Sequence, residues 1–201
     1  MEENKFETRC GVMIAIFAAI MAITDMFGGK YGEDEIKFIN EKSSAYMWYQ
    51  AKSIRETVTE GQRDMINTLI ENKSIAGDSA QKLKDHTEKL DTKVKRYGKE
   101  KNEILKGSAS VGEANWAQDV DGKMGQVTGA LEYQKKIEVL GIAGDNFDLS
   151  SLFLQLCLVM GAIGIVVKKP HLQKAFFYIM LSLGIIGSIY SVLAMRIAVS
   201  A

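Results

Sequence analysis

Uncharged apolar runs interrupt an otherwise charged chain at three places. No charged residue occurs at positions 11–23, 149–167 or 175–195, and nearly all the charge lies between the first run and the second. Crossing a hydrocarbon core of about 30 Å takes about 20 mostly apolar helical residues. The pattern therefore predicts three transmembrane helices, the first of which needs residues 24–27 to reach full length.

The first run, taken as residues 11–27, is interpreted as an uncleaved anchor. The segment before it, MEENKFETR, mixes acidic residues with Lys5 and Arg9, whereas a signal peptide begins with a clearly positive region. The stretch ITDMFGG offers no small-x-small cleavage site. Burial of all three runs in a soluble core is the alternative. It fits less well because charged clusters flank the long uncharged runs.

Charge near the runs predicts an orientation. Three lysines crowd the short loop 168–174, and short loops rich in Lys and Arg stay cytoplasmic. Because three spans separate the two termini, residues 1–10 then lie in the cytoplasm as well. Residues 28–148 form an extramembrane domain, which is periplasmic in a bacterial inner membrane.

Helical periodicity is clearest in the first part of this extramembrane domain. Apolar residues recur there at steps of mostly three, four or seven, which makes one stripe on a helix. The members are Ile36, Ile39, Met47, Ala51, Ile54, Val58, Met65 and Leu69. A second, highly charged segment has a heptad seam typical of coiled-coil-like contact. Its members are Leu83, Leu90, Tyr97 and Ile104.

A third helix is predicted to begin at Trp116 and to continue through Leu131. Three glycines lie among its apolar positions, and each costs about 1 kcal/mol in a helix interior relative to Ala. Either neighbouring helices approach closely there, or the segment is only partly helical. The stretch GIAGDNF (residues 141–147) is expected to be a joint before the second span. The predicted fold class is all-α, with three transmembrane helices and an extramembrane helical hairpin.

Catalytic and metal-binding patterns are not found in the sequence. His86 and His171 lie on opposite sides of the membrane in the predicted orientation, so they cannot share a metal within one chain. Cys10 and Cys157 are expected to be unpaired thiols, and the sequence has no P-loop or dinucleotide-binding fingerprint. We therefore expect no enzymatic activity, no cofactor, no metal and no small-molecule substrate.

Two charged motifs favour plain surface roles. The stretch DVDGKMGQ begins like a calcium loop at Asp119 and Asp121 but lacks the closing Glu, so a solvated turn or helix face is favoured. The basic stretch KVKRYGKEK is a candidate for nucleic-acid binding. Its acidic neighbours and predicted location favour a solvated helix face, and no nucleic-acid partner is expected.

An aromatic cluster stands out in the stretch AYMWYQAKSIRE. Its candidate residues are Tyr46, Trp48, Tyr49, Gln50 and Lys52. On a helix the three aromatic side chains cover more than one side, which predicts a packing and interaction hub among other helices rather than a ligand site. Trp48 points to the same side as Lys52 and Arg55, and these cations are expected to lie close enough for a cation–π contact.

Small residues recur at four-residue steps in the predicted spans, where they let helix backbones approach closely. The candidate packing positions are Ala15, Ala19, Gly161, Gly184, Gly187, Ser188 and Ser191. Packing within one chain and an interface between copies explain them equally well. Two polar residues, Asp25 and Gln155, are candidates for a pore path; a headgroup carboxylate and an interhelical hydrogen bond are the favoured explanation.

Two stretches together resemble an uncharacterised family of bacterial inner-membrane proteins, known as domain of unknown function 4337. The motif YQAKSI (residues 49–54) and the span entry Phe147-Asp148-Leu149 match its pattern, as does the basic turn at Lys168 and Lys169. The resemblance is seen at both ends of the chain and not in residues 75–144. It implies a bacterial membrane location and carries over no catalytic residue.

These observations lead to an expected role in assembly. The protein is interpreted as a homo-oligomeric scaffold, or as an accessory subunit of a larger membrane complex, that acts through helix packing in the lipid bilayer and coiled-coil contacts outside it. The alternative is an oligomeric channel or transport component with a path past Asp25 and Gln155.

Overall fold

Five α-helices account for most of the computed structural model, which describes residues 2–72 and 77–201. The helices are α1 (Glu2–Glu71), α2 (Asp78–Lys106), α3 (Ser108–Val111), α4 (Ala130–Val166) and α5 (Pro170–Ala198). A 3₁₀ helix (Glu113–Asn115) and two short strands, β1 (Asp119–Val120) and β2 (Lys123–Met124), lie between α3 and α4.

The three longest apolar segments lie in α1, α4 and α5. Each of these helices is long and apolar enough to cross a membrane, by length and composition. The prediction of an all-α fold with three such helices is confirmed. Pro170 begins α5 at its first turn, where its fixed φ suits a helix and its missing N–H is not needed.

The first compact unit combines residues up to 37 with residues 135–201. Its core is the buried cluster of Phe17, Leu154, Cys157 and Met180, to which the three apolar helices all contribute. Side-chain hydroxyl groups are bonded inside this unit: Thr24 and Ser191 share a hydrogen bond of 2.8 Å. These helices therefore pack through both apolar and polar contacts.

The second unit spans residues 38–134. The part of α1 that lies in this unit runs antiparallel to α2, since Lys52 pairs with Glu100 and Arg63 pairs with Asp91. Near the far end of α2 a small core forms from Ala45, Ile104 and Ala130. The heptad positions Leu90 and Ile104 are buried in the second unit. The other two heptad positions, Leu83 and Tyr97, are half-buried.

The predicted helix starting at Trp116 is wrong, because α4 begins only at Ala130. Instead, β1 and β2 form an antiparallel hairpin in which Val120 pairs with Lys123. The two residues between them, Asp121 and Gly122, have φ of 53° and 78°. Positive φ at both positions is what a type I′ turn requires, and Asp-Gly is a favoured sequence for it.

The predicted joint at residues 141–147 is also wrong. Helix α4 continues through this stretch without a break, and it buries Ala143 and Phe147 on one side. Phe147 stacks on Tyr31 with a ring-centroid distance of 6.0 Å. Two glycines in a stretch therefore did not end the helix, since packing of the flanking side chains outweighs a propensity cost of about 1 kcal/mol per glycine.

Candidate interaction site

The aromatic cluster on α1 is divided between two environments. Tyr49 packs against the buried cluster of Ala45, Ile104 and Ala130. Lys101 lies over the Tyr49 ring, with its Nζ atom 5.7 Å from the ring centroid. Tyr46 is 39% exposed and Trp48 is 36% exposed, so these two aromatic rings are only partly covered.

Lys52 pairs with an acidic residue rather than with Trp48. Its Nζ lies 2.6 Å from Glu100 Oε2, and the Glu100 side chain is 2% exposed. Arg96 Nε donates to the other oxygen of Glu100 at 2.8 Å. The predicted cation–π contact of Trp48 with Lys52 is therefore wrong, because the nearly buried Glu100 carboxylate attracts Lys52 toward α2.

Further ion pairs join α1 to α2. Glu56 pairs with Lys101, and both side chains are mostly buried. Arg63 donates to Asp91 at 3.0 Å. The hydrogen bonds from Arg63 to Asp91 and to Asp64 raise the pKa of the guanidinium above its ordinary value. Charged side chains thus make up much of the α1 face that contacts α2.

The opposite side of α1 is apolar and exposed. Its members, which we call the outer stripe, are Met47, Ala51, Ile54, Val58, Gly61 and Met65. Exposure is 60% for Met47, 65% for Ile54 and 67% for Met65. At 3.6 residues per turn the stripe lies about 120–180° around the helix from the side chains that contact α2. The apolar stripe predicted from the sequence is therefore real in its spacing, but in the second unit it faces away from the neighbouring helix.

A buried carboxylate organises the segment after α2. Glu103, which is fully buried, accepts the Ser108 hydroxyl at 2.7 Å on one oxygen. The backbone N–H groups of Ala117 and Gln118 each donate to the other oxygen at 2.8 Å. Ser108 Oγ in turn accepts the N–H of Val127. No sequence pattern predicted these hydrogen bonds. The Asp-Gly pair at 121–122 was the one local signal for the hairpin that follows them.

The small residues of the apolar helices fall into two groups. Gly161, Gly184 and Gly187 are buried, and a Cβ on Gly187 would lie 2.8 Å from Leu154 Cγ. Ser191 is buried and Ser188 is half-buried, and both hydroxyls form hydrogen bonds within the unit. Ala15 and Ala19 are exposed. Contacts inside the chain therefore account for the small residues of α4 and α5, while those of α1 lie on the outside.

The two polar residues considered for a pore path are also on the surface of the first unit. Asp25 accepts a hydrogen bond from Ser151 at 2.6 Å. Gln155 is exposed. Across the described residues, no group of three or more His, Cys, Asp or Glu side chains is arranged to hold a metal ion.

A family model named Domain of unknown function (DUF4337) matches residues 6–197. The chain belongs to the DUF4337 family. The match runs through residues 75–144 as well. The similarity to the family therefore extends beyond the two ends of the chain, where the sequence motifs were recognised. Searches of curated proteins and of solved structures gave no match.

The family motif at residues 49–54 divides between the two faces of α1. Tyr49 and Lys52 contact α2, whereas Ala51 and Ile54 belong to the outer stripe. The second matching stretch, at residues 147–149, begins with Phe147, which packs on Gly28 as well as Tyr31. In this DUF4337 protein Tyr49, Lys52 and Phe147 thus take part in helix–helix contacts within their units.

Proposed function

We propose that this DUF4337 protein is a membrane-anchored module that assembles with further copies of itself. In that role it serves as a homo-oligomeric scaffold or as an accessory subunit of a larger membrane complex. The observation that carries the proposal is the outer stripe, an exposed apolar face on a helix whose other side is already occupied. The proposal assigns no chemical reaction to the protein.

The distribution of polar and apolar residues on α1 is the reverse of what a monomer favours. A surface helix normally turns its apolar stripe toward the core and its charges toward water. Here Lys52, Glu56 and Arg63 turn toward α2, while Met47 and Ile54 are exposed. Contiguous exposed apolar surface of this kind marks interaction sites in soluble regions.

A second copy of the same helix fits the outer stripe. Successive members are separated by four, three, four, three and four residues, which is the seam spacing of a coiled coil. The positions beside the seam are Trp48, Arg55 and Gln62 on one side and Gln50, Thr57 and Asp64 on the other. In a parallel pair Arg55 lies beside Gln50 of the second copy, so like charges do not meet. An antiparallel pair brings Arg55 near Arg55 of the second copy, and repulsion between the two positive charges disfavours that arrangement.

Energetic magnitudes indicate that membrane anchoring matters for this association. Burying the exposed parts of four large side chains from each copy contributes about 7–15 kcal/mol. Association itself costs about 4–15 kcal/mol in lost translational and rotational freedom. The two terms nearly cancel for a free fragment. Confinement of the copies to one membrane raises their effective concentration and favours the pair.

Oxidative cross-linking of the full chain in its native membrane tests the proposal. In a parallel pair Ile54 of each copy faces the other across the seam, at a separation that suits a disulfide. The Ile54→Cys variant is therefore expected to form disulfide-linked dimers on oxidation. Background from the native thiols is expected to be low, because Cys10 and Cys157 are both buried.

Matched variants separate the outer stripe from general apolar exposure. Met65→Lys in the Ile54→Cys chain is expected to lower dimer formation at least about tenfold, the effect of about 1.4 kcal/mol. Met124 is also exposed, at 45%, but lies outside the stripe, so Met124→Lys is expected to leave the dimer unchanged. A chain that stays monomeric at every concentration, or equal effects of the two substitutions, would contradict the proposal.

The proposed location is a bacterial inner membrane, with residues 1–10 and 168–174 in the cytoplasm and residues 28–148 in the periplasm. Three apolar helices support the membrane part of this proposal. The lysines of loop 168–174 support the orientation, through the preference of short basic loops for the cytoplasm.

A further inference from the structure

Gln155 is the polar residue of the apolar helices that most needs explanation. It lies on α4 about 9 Å from Leu149, where the uncharged run begins, and about 18 Å from Val167, where that run ends. Both distances place it well inside a hydrocarbon core of about 30 Å. Its side chain is exposed on the outside of the first unit.

The serine and threonine hydroxyl groups in and beside the apolar runs are satisfied within the unit. Ser150 donates to the Gly187 carbonyl at 2.8 Å, and Ser188 donates to the Gly184 carbonyl at 2.7 Å. Thr24 and Ser191 bond to each other. Gln155, by contrast, has no hydrogen-bond partner among the residues that the structure describes. An amide transferred from water to an apolar medium without a partner costs several kcal/mol on hydrocarbon scales, whereas a hydroxyl bonded to its own helix does not carry that cost.

We infer that Gln155 pairs with Gln155 of a second copy of this chain inside the membrane. A primary amide carries both donors and an acceptor, so two copies related by a two-fold axis satisfy each other. The inference rests on the proposed self-assembly but assigns it a second contact, on a different helix from the outer stripe.

The residues around Gln155 fit a helix–helix contact. Leu152, Gln155, Val159 and Ala162, which we call the membrane seam, are separated by three, four and three residues and are all exposed. Leu152 is 50% exposed and Val159 is 52% exposed. Ala162 is small enough to allow close approach of two helices. A single polar residue in such a seam fixes register and copy number, as a buried Asn does in soluble coiled coils.

Cross-linking through one introduced cysteine, with the full chain in its native membrane, tests the inference. Val159→Cys, one turn from Gln155, is expected to form disulfide-linked dimers on oxidation. Val192 on α5 is 57% exposed and gives a matched control, because Val192→Cys places the same chemistry on a different helix. Dimers are expected from the first variant and not from the second.

Substitution of Gln155 itself then isolates the amide. Adding Gln155→Leu to the Val159→Cys chain is expected to reduce the dimer equilibrium about 5- to 30-fold, the range that interhelical hydrogen bonds reach in model membrane helices. Gln155→Asn keeps both donor and acceptor and is expected to retain more of the dimer than Gln155→Leu. Leu also removes a lipid-exposed polar group, so a loss of dimer cannot be attributed to a poorly inserted helix.

Each of the following outcomes would overturn the inference. Equal cross-linking at positions 159 and 192 would indicate random collision, and an unchanged dimer with Gln155→Leu would show that the amide is not in the contact. Cross-linking of the Val159→Cys variant to a different protein, without any dimer of this chain, would show that the membrane seam contacts that protein instead of a second copy. The outer stripe is monitored separately: dimers of Ile54→Cys without dimers of Val159→Cys reject the membrane seam and leave the proposed function standing, whereas failure of both rejects both.

Discussion

Buried polar side chains determine much of the local structure at the scale of single residues. Glu103 illustrates this, since it is fully buried and accepts three hydrogen bonds from a segment that follows it in the chain. Each bond to a charged group contributes about 1.5–3 kcal/mol, and a buried donor left without its acceptor costs a similar amount. The carboxylate therefore holds the segment at 107–129 in one conformation.

Glu103→Gln is expected to destabilise that segment by about 1–3 kcal/mol, because an amide nitrogen replaces one acceptor oxygen and faces a donor. Faster hydrogen exchange at the amides of Ala117 and Gln118 would measure the effect. Glu113→Gln is the control, since Glu113 is exposed and its substitution should leave exchange unchanged. Equal protection in the wild-type and Glu103→Gln proteins would show that the segment does not depend on the carboxylate.

Gly187→Ala tests the close helix contact of the first unit. The added Cβ would lie 2.8 Å from Leu154 Cγ and 3.1 Å from the Ser150 carbonyl oxygen. Such overpacking costs about 1–3 kcal/mol, which exceeds the gain of about 1 kcal/mol from replacing Gly in a helix. Unfolding of the purified chain in mixed detergent micelles should show the loss. Gly11→Ala has no atom within 4 Å of the new Cβ and should be neutral or stabilising.

Ion pairs set the register of α1 against α2 at the scale of helices. Lys52 with Glu100, Glu56 with Lys101 and Arg63 with Asp91 are spread along the hairpin. A shift of one helix by a turn would separate all of these pairs at once. Like charges would then meet across the two helices, so electrostatics disfavours the shifted arrangements.

A charge exchange at one pair tests this account of the register. Glu56→Lys places two lysines together in a mostly buried position and is expected to cost about 1–3 kcal/mol of unfolding free energy. Adding Lys101→Glu should restore much of the loss, though not the contact of Lys101 with the Tyr49 ring. Asp78→Lys, at an exposed pair with Lys82, should cost less than about 1 kcal/mol. No recovery in the double variant would mean that the pair does not position the helices.

Sequence patterns predicted the helices better than their contacts. The steps between Met47, Ile54 and Met65 predicted a helix with one apolar face, and that face exists. Its direction was not predictable, because the rule that apolar faces turn inward fails where charged pairs occupy the interior side. The Glu103 contacts span 14 and 15 residues of sequence and leave no periodic signal. The Asp-Gly turn, by contrast, has a recognisable local sequence.

The candidate interaction site was predicted only in part, for the same reason. The clustering of aromatic residues on one helix predicted a packing hub, but it could not separate Tyr49, which packs on α2, from Tyr46 and Trp48, which are partly exposed. Gln155 was recognised as unusual from its position in an apolar run. Its exposure on the outside of the helices depends on tertiary packing, which the sequence alone did not define.

At the scale of the whole molecule, thiol labelling of intact cells tests the proposed orientation. Glu113 and Lys169 are both exposed, and they lie on opposite sides of the membrane in the proposed topology. Glu113→Cys is expected to react with a membrane-impermeant maleimide in cells whose outer membrane alone is permeable. Lys169→Cys should react only after the inner membrane is opened. The reverse pattern would invert the topology, and reaction of both in intact cells would exclude it.

The hydrogen bond between Thr24 and Ser191 joins residues that are 167 positions apart. A ribosome adds about 5–20 residues per second, so the first apolar helix exists for roughly 8–33 s before its last partner is made. Until α4 has been made, the helix has to be stable on its own. Thr24 also donates to the carbonyl of Ile20 at 2.9 Å, which satisfies its hydroxyl within the helix before Ser191 arrives. The order of synthesis therefore favours a first helix that needs no neighbour, and its uncharged sequence meets that requirement.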